Sequence, residues 1–434
     1  MIAFAVLLVA AAAQPTVAVV PEVDLRGGAV GLVVPDAGPR TSAERARASL
    51  LCGEVINVLR GRRPECAEPL VRIGDGSARI ALELPRGGSQ PNDRRYPVVL
   101  RGASGLLTSD STRIPGLVSI ADLGQGRLRT VPSSDPAGYL RRLDEQITEN
   151  AYARIRGALL VAGILAALAL VAPRAAVAGF VAVLAANLAL GAAGVSSLWA
   201  VMLTLGLAAA AGAPLLSRLP LVPLSLAVVA AYLGALAADG TWVSLSPLGP
   251  SQNGRFFGLS NLLETLLLVP ALVGASKRAT FLPGAVLAIV TVAGSSFGAD
   301  GGGAVVLLVA FAVLAVRLFG LALTVPAVGA LVAATALAIV VGPSTHVTGA
   351  GGGAIPDRIR LSLERLADDW LSAAVTAASV AAIALLVLRG PRRLLPLALA
   401  AAIATSLIVN DSPSEVAVGG LVGYLALWRY DSSR

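Results

Sequence analysis

From Gly157 onward the chain runs in long apolar stretches, and short polar turns interrupt them at a nearly regular spacing. Each stretch is about 20 residues long, the length at which an α-helix crosses ~30 Å of hydrocarbon, and about eleven can be counted. They start near Gly157, Ala175, Leu198, Leu221, Leu259, Phe281, Ala304, Leu321, Trp370, Leu394 and Val416. Before residue 156 the apolar runs are short and broken by turn residues. This region predicts a strand at "AVGLVVP" and a helix opened by the capping box Thr41–Glu44 and running to about Leu59. Strands at "ARIALEL" and "YPVVLRG" and an extended segment at "GLVSIADL" complete a small α/β unit. A helix near 137–156 then leads to the first apolar run. The predicted fold is mostly α: a polytopic helical membrane bundle of about eleven transmembrane helices, preceded by a small α/β domain. Its expected divisions are 1–20, 21–156 and 157–434.

Residues 1–20, "MIAFAVLLVAAAAQPTVAVV", join an apolar core to small residues, as a secretory signal peptide or an N-terminal anchor does, although no Lys or Arg precedes the core. Either reading places residues 21–156 outside the cytoplasm. Both cysteines, Cys52 and Cys66, fall in that region, which suits a disulfide in an oxidising compartment; two reduced, buried thiols are the alternative.

Composition supports the membrane assignment. The 434 residues are 56% hydrophobic and 14% charged, with a mean hydropathy of +0.78, far above an ordinary soluble domain. A net charge of +8 would suit nucleic acid only if it gathered on one soluble face. Instead the basic residues alternate with the spans, so the lipid bilayer is the expected partner and nucleic acid is not. With the α/β domain outside, the inner turns hold Arg174, Arg218, Lys277 with Arg278, Arg317, Arg389 with Arg392 and Arg393, and Arg429 with Arg434. That is the positive-inside pattern of a multi-pass protein of the inner or plasma membrane with a cytoplasmic C-terminus. The outer turns hold nearly all the acids of this half.

Four polar segments face the same outer side. In "GPSQNGRFFGLSNLLE", Asn261 and Glu264 share a helical face and Arg255 lies one step back, forming either a substrate-binding stripe or a structural ion pair. In "SSFGADGGG", Gly301, Gly302 and Gly303 offer amides at a helix start that favours anions, with Asp300 as acid, base or counter-ion. A plain N-cap is the other reading of Asp300. His346, the only histidine, opens the eighth-to-ninth loop. "NDSPSE" brings Asn410 and Asp411 to the start of the last span, where Ser412 and Pro413 also read as an ordinary turn and helix opening. The segment 355–369, with Ile359, Leu363 and Leu366 on one face, reads as an interfacial lid. Asn187 reads as glue between spans. No Walker loop, HExxH motif, nucleophile elbow or CxxC pair is present, a single histidine leaves no tandem metal motif, and no pattern names a cofactor.

Residues 94–124, "RRYPVVLRGASGLLTSDSTRIPGLVSIADLG", resemble the closing strands of the alkaline phosphatase/sulfatase superfamily, with Pro97, Arg101, Gly102, Ser119 and Asp122 in step. The metal-binding DHG-type motif of that superfamily is missing, so the region is a degenerate relative at most; Asp36 and Thr41 are the positions where a ligand and a nucleophile would fall. Together with "GRFFGLSN", "GADGGG" and "NDSP", this resembles a group of uncharacterised bacterial envelope membrane proteins that join such a domain to a polytopic region. Their forms of these motifs run close to GxRFxGxxNE, GADxGG and NDSG. Here Leu262 stands where the acid would be, and Glu264 follows two residues later.

These readings converge on an envelope protein whose outward-facing polar pocket handles an anionic, lipid-linked glycan or phosphate precursor, as a transferase would. A transporter and a non-catalytic scaffold are the rivals. In the transferase reading Arg255 clamps the anion, the 301–303 amides cradle it, Asp300 or Asp411 acts as acid or base, Asn261 positions it, and Glu264, Asn410 and His346 line the pocket.

Overall fold

The computed structural model describes residues 15–35, 40–54, 66, 68–75, 77–250, 257–340, 359, 362–363, 366–390, 393–410 and 412–432. The chain divides into two compact units, Met1–Ser109 with Pro115–Leu140, and Asp110–Ile114 with Arg141–Arg434.

The first unit is built on an eight-stranded sheet. Its strands are β1 (Thr16–Val19), β2 (Gly28–Val34), β4 (Arg72–Gly74), β5 (Ile80–Leu82), β7 (Tyr96–Arg101), β8 (Leu106–Ser109), β9 (Leu117–Ser119) and β10 (Leu128–Val131). They run in the order β10-β8-β2-β7-β5-β1-β4, with β9 also pairing β2. The short strands β3 (Arg40–Thr41) and β6 (Gln90–Pro91) pair separately. The β2 run "GAVGLVV" is apolar at nearly every position because a central strand buries both faces. It pairs antiparallel with β7, Leu32 opposite Pro97, and parallel with β9. Val33, Val98, Leu107, Val118 and Leu123 pack into one core with Leu50 of α1 (Ala43–Cys52).

Four expectations are corrected here. The cap of α1 is Ser42, not Thr41: its side chain accepts from the Arg45 amide at 3.3 Å. The helix ends at Cys52, where Gly53 takes the left-handed conformation (φ 61°) that stops a helix, so it does not reach Leu59. "GLVSIADL" is half strand and half helix, β9 giving way to α2 (Ile120–Gly124). Residues 16–19, expected within the leader, form β1 between β4 and β5, with Val17 and Ala18 fully buried. The leader-like residues 1–14 lie outside the described residues. Cys52 is disulfide-bonded to Cys66, with Cα atoms 5.3 Å apart.

The second unit is helical. Its helices are α3 (Pro136–Val171), α4 (Pro173–Ala192), α5 (Leu198–Leu207), α6 (Ala213–Leu216), α7 (Leu221–Asp239), α8 (Thr241–Ser244), α9 (Asn261–Gly274), α10 (Arg278–Ala293), α11 (Gly301–Phe319), α12 (Leu321–Val340), α13 (Trp370–Arg389), α14 (Leu394–Val409) and α15 (Pro413–Ser432). A π-turn over Ala208–Gly212 joins α5 to α6; Pro214 just beyond it has no amide hydrogen to donate to the preceding turn. Among the described residues seven helices are long and apolar enough to cross a membrane: α3, α4, α5 continued through α6, α7, α11, α12 and α13. The apolar α9, α10 and α14 are shorter.

Burial orders the bundle. The apolar window of α4 is 72% buried, and those of α12 and α13 are 17% buried, so α4 is central and the other two are peripheral. Helix α9 is enclosed on every side, Leu262 through Gly274 all being buried, as expected of a helix that is apolar all round.

Two contacts align α3 with α15. Arg154, early in the apolar part of α3, meets Glu415 in the first turn of α15 at 2.8 Å, and Arg429 donates to the carbonyl of Leu170 at 3.2 Å. Sixteen residues of α3 separate these contacts, about 24 Å at 1.5 Å per residue, so the two helices run parallel and define two ends of the bundle. At the Arg429 end, arginines cover helix C-termini. Arg174 donates to the carbonyls of Ser217 and Leu219, and Arg278 to that of Leu318. Cations there satisfy orphan carbonyls and complement the helix dipole.

Candidate functional site

The other end of the bundle holds a buried polar knot. Ser260 caps α9, accepting from the Leu263 amide at 3.1 Å and donating to the Leu248 carbonyl at 2.8 Å. Gly258, at φ 89°, lies against the backbone of Gly298, where an added Cβ would stand 2.0 Å from the carbonyl oxygen; only glycine fits. The Leu259 amide donates to that same carbonyl at 3.1 Å. The start of α9 and the segment joining α10 to α11 are thus one piece.

That joining segment folds back on the C-terminus of α10. The Asp300 amide donates to Val292 O at 2.9 Å, and Ala299 adopts a positive φ of 52°. Asp300 is the N-cap of α11: its side chain accepts from the Gly303 amide at 3.1 Å. The cap reading of Asp300 is therefore realised, and the Gly303 amide, expected in an anion cradle, is taken by the protein itself. The glycines serve close packing. An added Cβ on Gly302 would stand 2.3 Å from Asn410 Oδ1, and one on Gly303 would stand 2.5 Å from Val292 Cγ1 and 3.0 Å from Glu264 Cδ. Side chains at 302 or 303 would displace Asn410 and Glu264.

Asn410 closes the knot. Its Nδ2 donates to Glu264 Oε2 at 3.1 Å and to Ser406 Oγ at 2.8 Å, and its carbonyl accepts from Ser362 Oγ at 3.0 Å. Glu264, Asp300 and Asn410 are each at most 4% exposed. Asn261 opens α9 half-buried, and its carbonyl accepts from Thr265 Oγ1. Thus Asn261 and Glu264 of the first motif, Asp300 to Gly303 of the second and Asn410 of the fourth are gathered at one end of the bundle. Arg255, His346 and Asp411 lie outside the described residues, as does most of the 355–369 lid. Within that lid, Ser362 touches the knot while Ile359 and Leu363 are exposed.

A second network lies beside it. Asn187, fully buried in α4, donates to Tyr232 Oη at 3.1 Å and to Ser246 Oγ at 2.9 Å, and accepts from the Leu248 amide at 2.9 Å. It ties α4 and α7 to the 244–249 loop, the interhelical role read for it from sequence. From the other side, a stripe on α3 holds the same loop. Gln146 and Asn150 donate to the Leu245 carbonyl, and Arg154 donates to that of Gly249 at 2.8 Å. Sequence reasoning passed over this stripe. Its signal was the i, i+4, i+8 spacing of Gln146, Asn150 and Arg154.

Arg154 also marks the polar end of a cavity of about 330 Å³ in this unit, bounded by α3, α4, α9, α13 and α15. A much smaller void, about 10 Å³, touches Glu264 and is near the lower limit for a single water. Among the described residues no group of three His, Cys, Asp or Glu side chains is placed to hold a metal ion.

Some of the phosphatase-like positions can be placed in this fold. Arg101 donates to the Ala78 carbonyl at 2.9 Å, and Asp122 is buried in α2. Thr41 is fully buried and its hydroxyl has no hydrogen-bond partner among the described residues, which is not the setting of an activated nucleophile. Asp36 lies outside the described residues. No family model matches the chain, and no match is found among curated proteins or solved structures.

Proposed function

We propose that this chain is a multi-pass cell-envelope membrane protein of about eleven spans, and that the polar end of its bundle handles an anionic, lipid-linked glycan or phosphate substrate in a transfer reaction. In this reading the α/β unit and the polar knot are extracytoplasmic and the C-terminus is cytoplasmic. The arginines on helix C-termini at the opposite end support that orientation, because basic residues favour the cytoplasmic side. The kinship with the envelope group rests on the motifs quoted above.

One observation carries the reading. Three polar segments far apart in sequence meet in one buried knot at one end of the bundle; in this reading the knot lies at membrane depth, where ionisable groups are costly and usually serve a pathway or a site. Glu264, Asp300 and Asn410 then hold the frame on which Arg255 and Asp411, neighbours of the knot in sequence, meet substrate.

The internal pairing of Asn410 with Glu264 and of Asp300 with Gly303 favours a second reading, a non-catalytic scaffold. Replacing Arg255 and Asp411 by alanine, with envelope phenotype and protein abundance scored together, separates the two. The site reading expects loss of function at unchanged abundance. Survival of function in both variants, or loss only in proportion to abundance, overturns it in favour of the scaffold.

A further inference from the structure

We infer that the cavity between α3, α13 and α15 is the seat of a single-chain lipid phosphate, with the hydrocarbon chain along the apolar walls and the phosphate at Arg154. The inference rests on the reading above only in its choice of a phosphate head; the seat itself is argued from geometry.

The walls are almost wholly apolar: Ala158 and Ala162 of α3, Leu262 and Leu266 of α9, and Val418 and Val422 of α15. The mouth is rimmed by exposed apolar side chains, as an opening toward lipid would be. Ile155 and Leu159 on α3 are 64% and 60% exposed, and Leu371 on α13 is 57% exposed, although all three line the same cavity. A volume of about 330 Å³ falls at the low end of the ~300–1,000 Å³ range of ligand sites. A cavity at that end of the range has room for one chain rather than for two.

The polar end favours an anion. Arg154 is more than nine-tenths buried; one terminal nitrogen is bonded to Glu415 and the other to the Gly249 carbonyl, while its buried Nε–H has no acceptor among the described residues. A buried donor without a partner is costly, and a phosphate oxygen would satisfy it. Ser414 stands at the same end, in the first turn of α15, where amide hydrogens and the helix dipole favour negative charge; at α13 the Leu371 and Ser372 amides and the Ser372 hydroxyl are already held by Asp369. Glu415, 30% exposed at its side chain, neutralises only part of that field.

The test uses the full chain in phosphatidylcholine nanodiscs with two diazirine probes, a polyprenyl phosphate and the corresponding polyprenol, and maps the labelled residues. The expected result is polyprenyl phosphate labelling concentrated on 155–165, 371–375 and 418–422, at least tenfold weaker with the polyprenol. Ala162→Phe, which fills the cavity without touching a charge, should abolish it; Arg154→Lys should retain part of it and Arg154→Gln little. Ala162→Phe keeps the test decisive if Arg154→Gln does not fold. Labelling spread equally over the exposed face of α12, equal labelling by both probes, or labelling indifferent to Ala162→Phe overturns the inference. Failure of the transfer reading looks different: groove labelling would persist while Arg255→Ala and Asp411→Ala left function intact.

Discussion

Asn410 Nδ2 donates to Glu264 Oε2 at 3.1 Å, joining the turn before α15 to the first turn of α9 across 146 positions of sequence. Because both residues are buried, removing the amide deprives the carboxyl group of a donor it cannot recover from water. Asn410→Ala is expected to cost about 1–3 kcal/mol. In a double-mutant cycle with Glu264→Gln, read by thermal unfolding in detergent, the pair should show a coupling of about 0.5–3 kcal/mol. Strict additivity would mean that the two side chains act independently.

Gly302 and Gly303 lie where other side chains press on the backbone, whereas Gly329 in α12 has open space around its Cβ position. Gly302→Ala and Gly303→Ala should each destabilise by about 1–3 kcal/mol through overpacking. Gly329→Ala should stabilise by up to about 1 kcal/mol through helix propensity. Melting temperatures of the three variants check the contrast; a neutral Gly302→Ala would show that Asn410 does not sit over that residue.

Asn187 makes three hydrogen bonds in the interior of α4. Bonds of this kind between spans contribute roughly 0.6–2 kcal/mol each. Asn187→Leu should therefore lower stability by several kcal/mol, and Tyr232→Phe, which removes one hydroxyl, by only about 1 kcal/mol. Equal effects of the two changes would contradict a network centred on Asn187.

The disulfide closes a loop of 14 positions between Cys52 and Cys66. Replacing both cysteines by serine should cost about 3 kcal/mol in the α/β unit on the chain-entropy account. Denaturant unfolding followed by a probe in that unit measures it. The melting of the helical unit should change little.

The hydrophobic pattern located the helices well, because a span must present apolar side chains over its whole length, and every run read as a span is helical in the structure. It did not separate α9, α10 and α14, which are shorter than a bilayer needs. Their enclosure by other helices, not their own length, keeps them buried. The motifs were legible as polar exceptions in greasy surroundings. What they do locally was less so: "GGG" suggested amides free for a ligand, while the glycines make room for Asn410 and Glu264. The Arg154–Glu415 pair spans 261 positions, and no local pattern announces a contact of that range. Only the spacing of Gln146, Asn150 and Arg154 hinted that α3 carries a polar face where it enters the apolar region.

The central claim is that the helical unit takes up an amphiphile with one chain and an anionic head. Native mass spectrometry of the full chain, extracted gently from its own membranes, tests it most directly. The account predicts one retained single-chain lipid phosphate per protein, lost from Ala162→Phe. Adducts that are only diacyl phospholipids, or that are the same in the wild type and in Ala162→Phe, would contradict it.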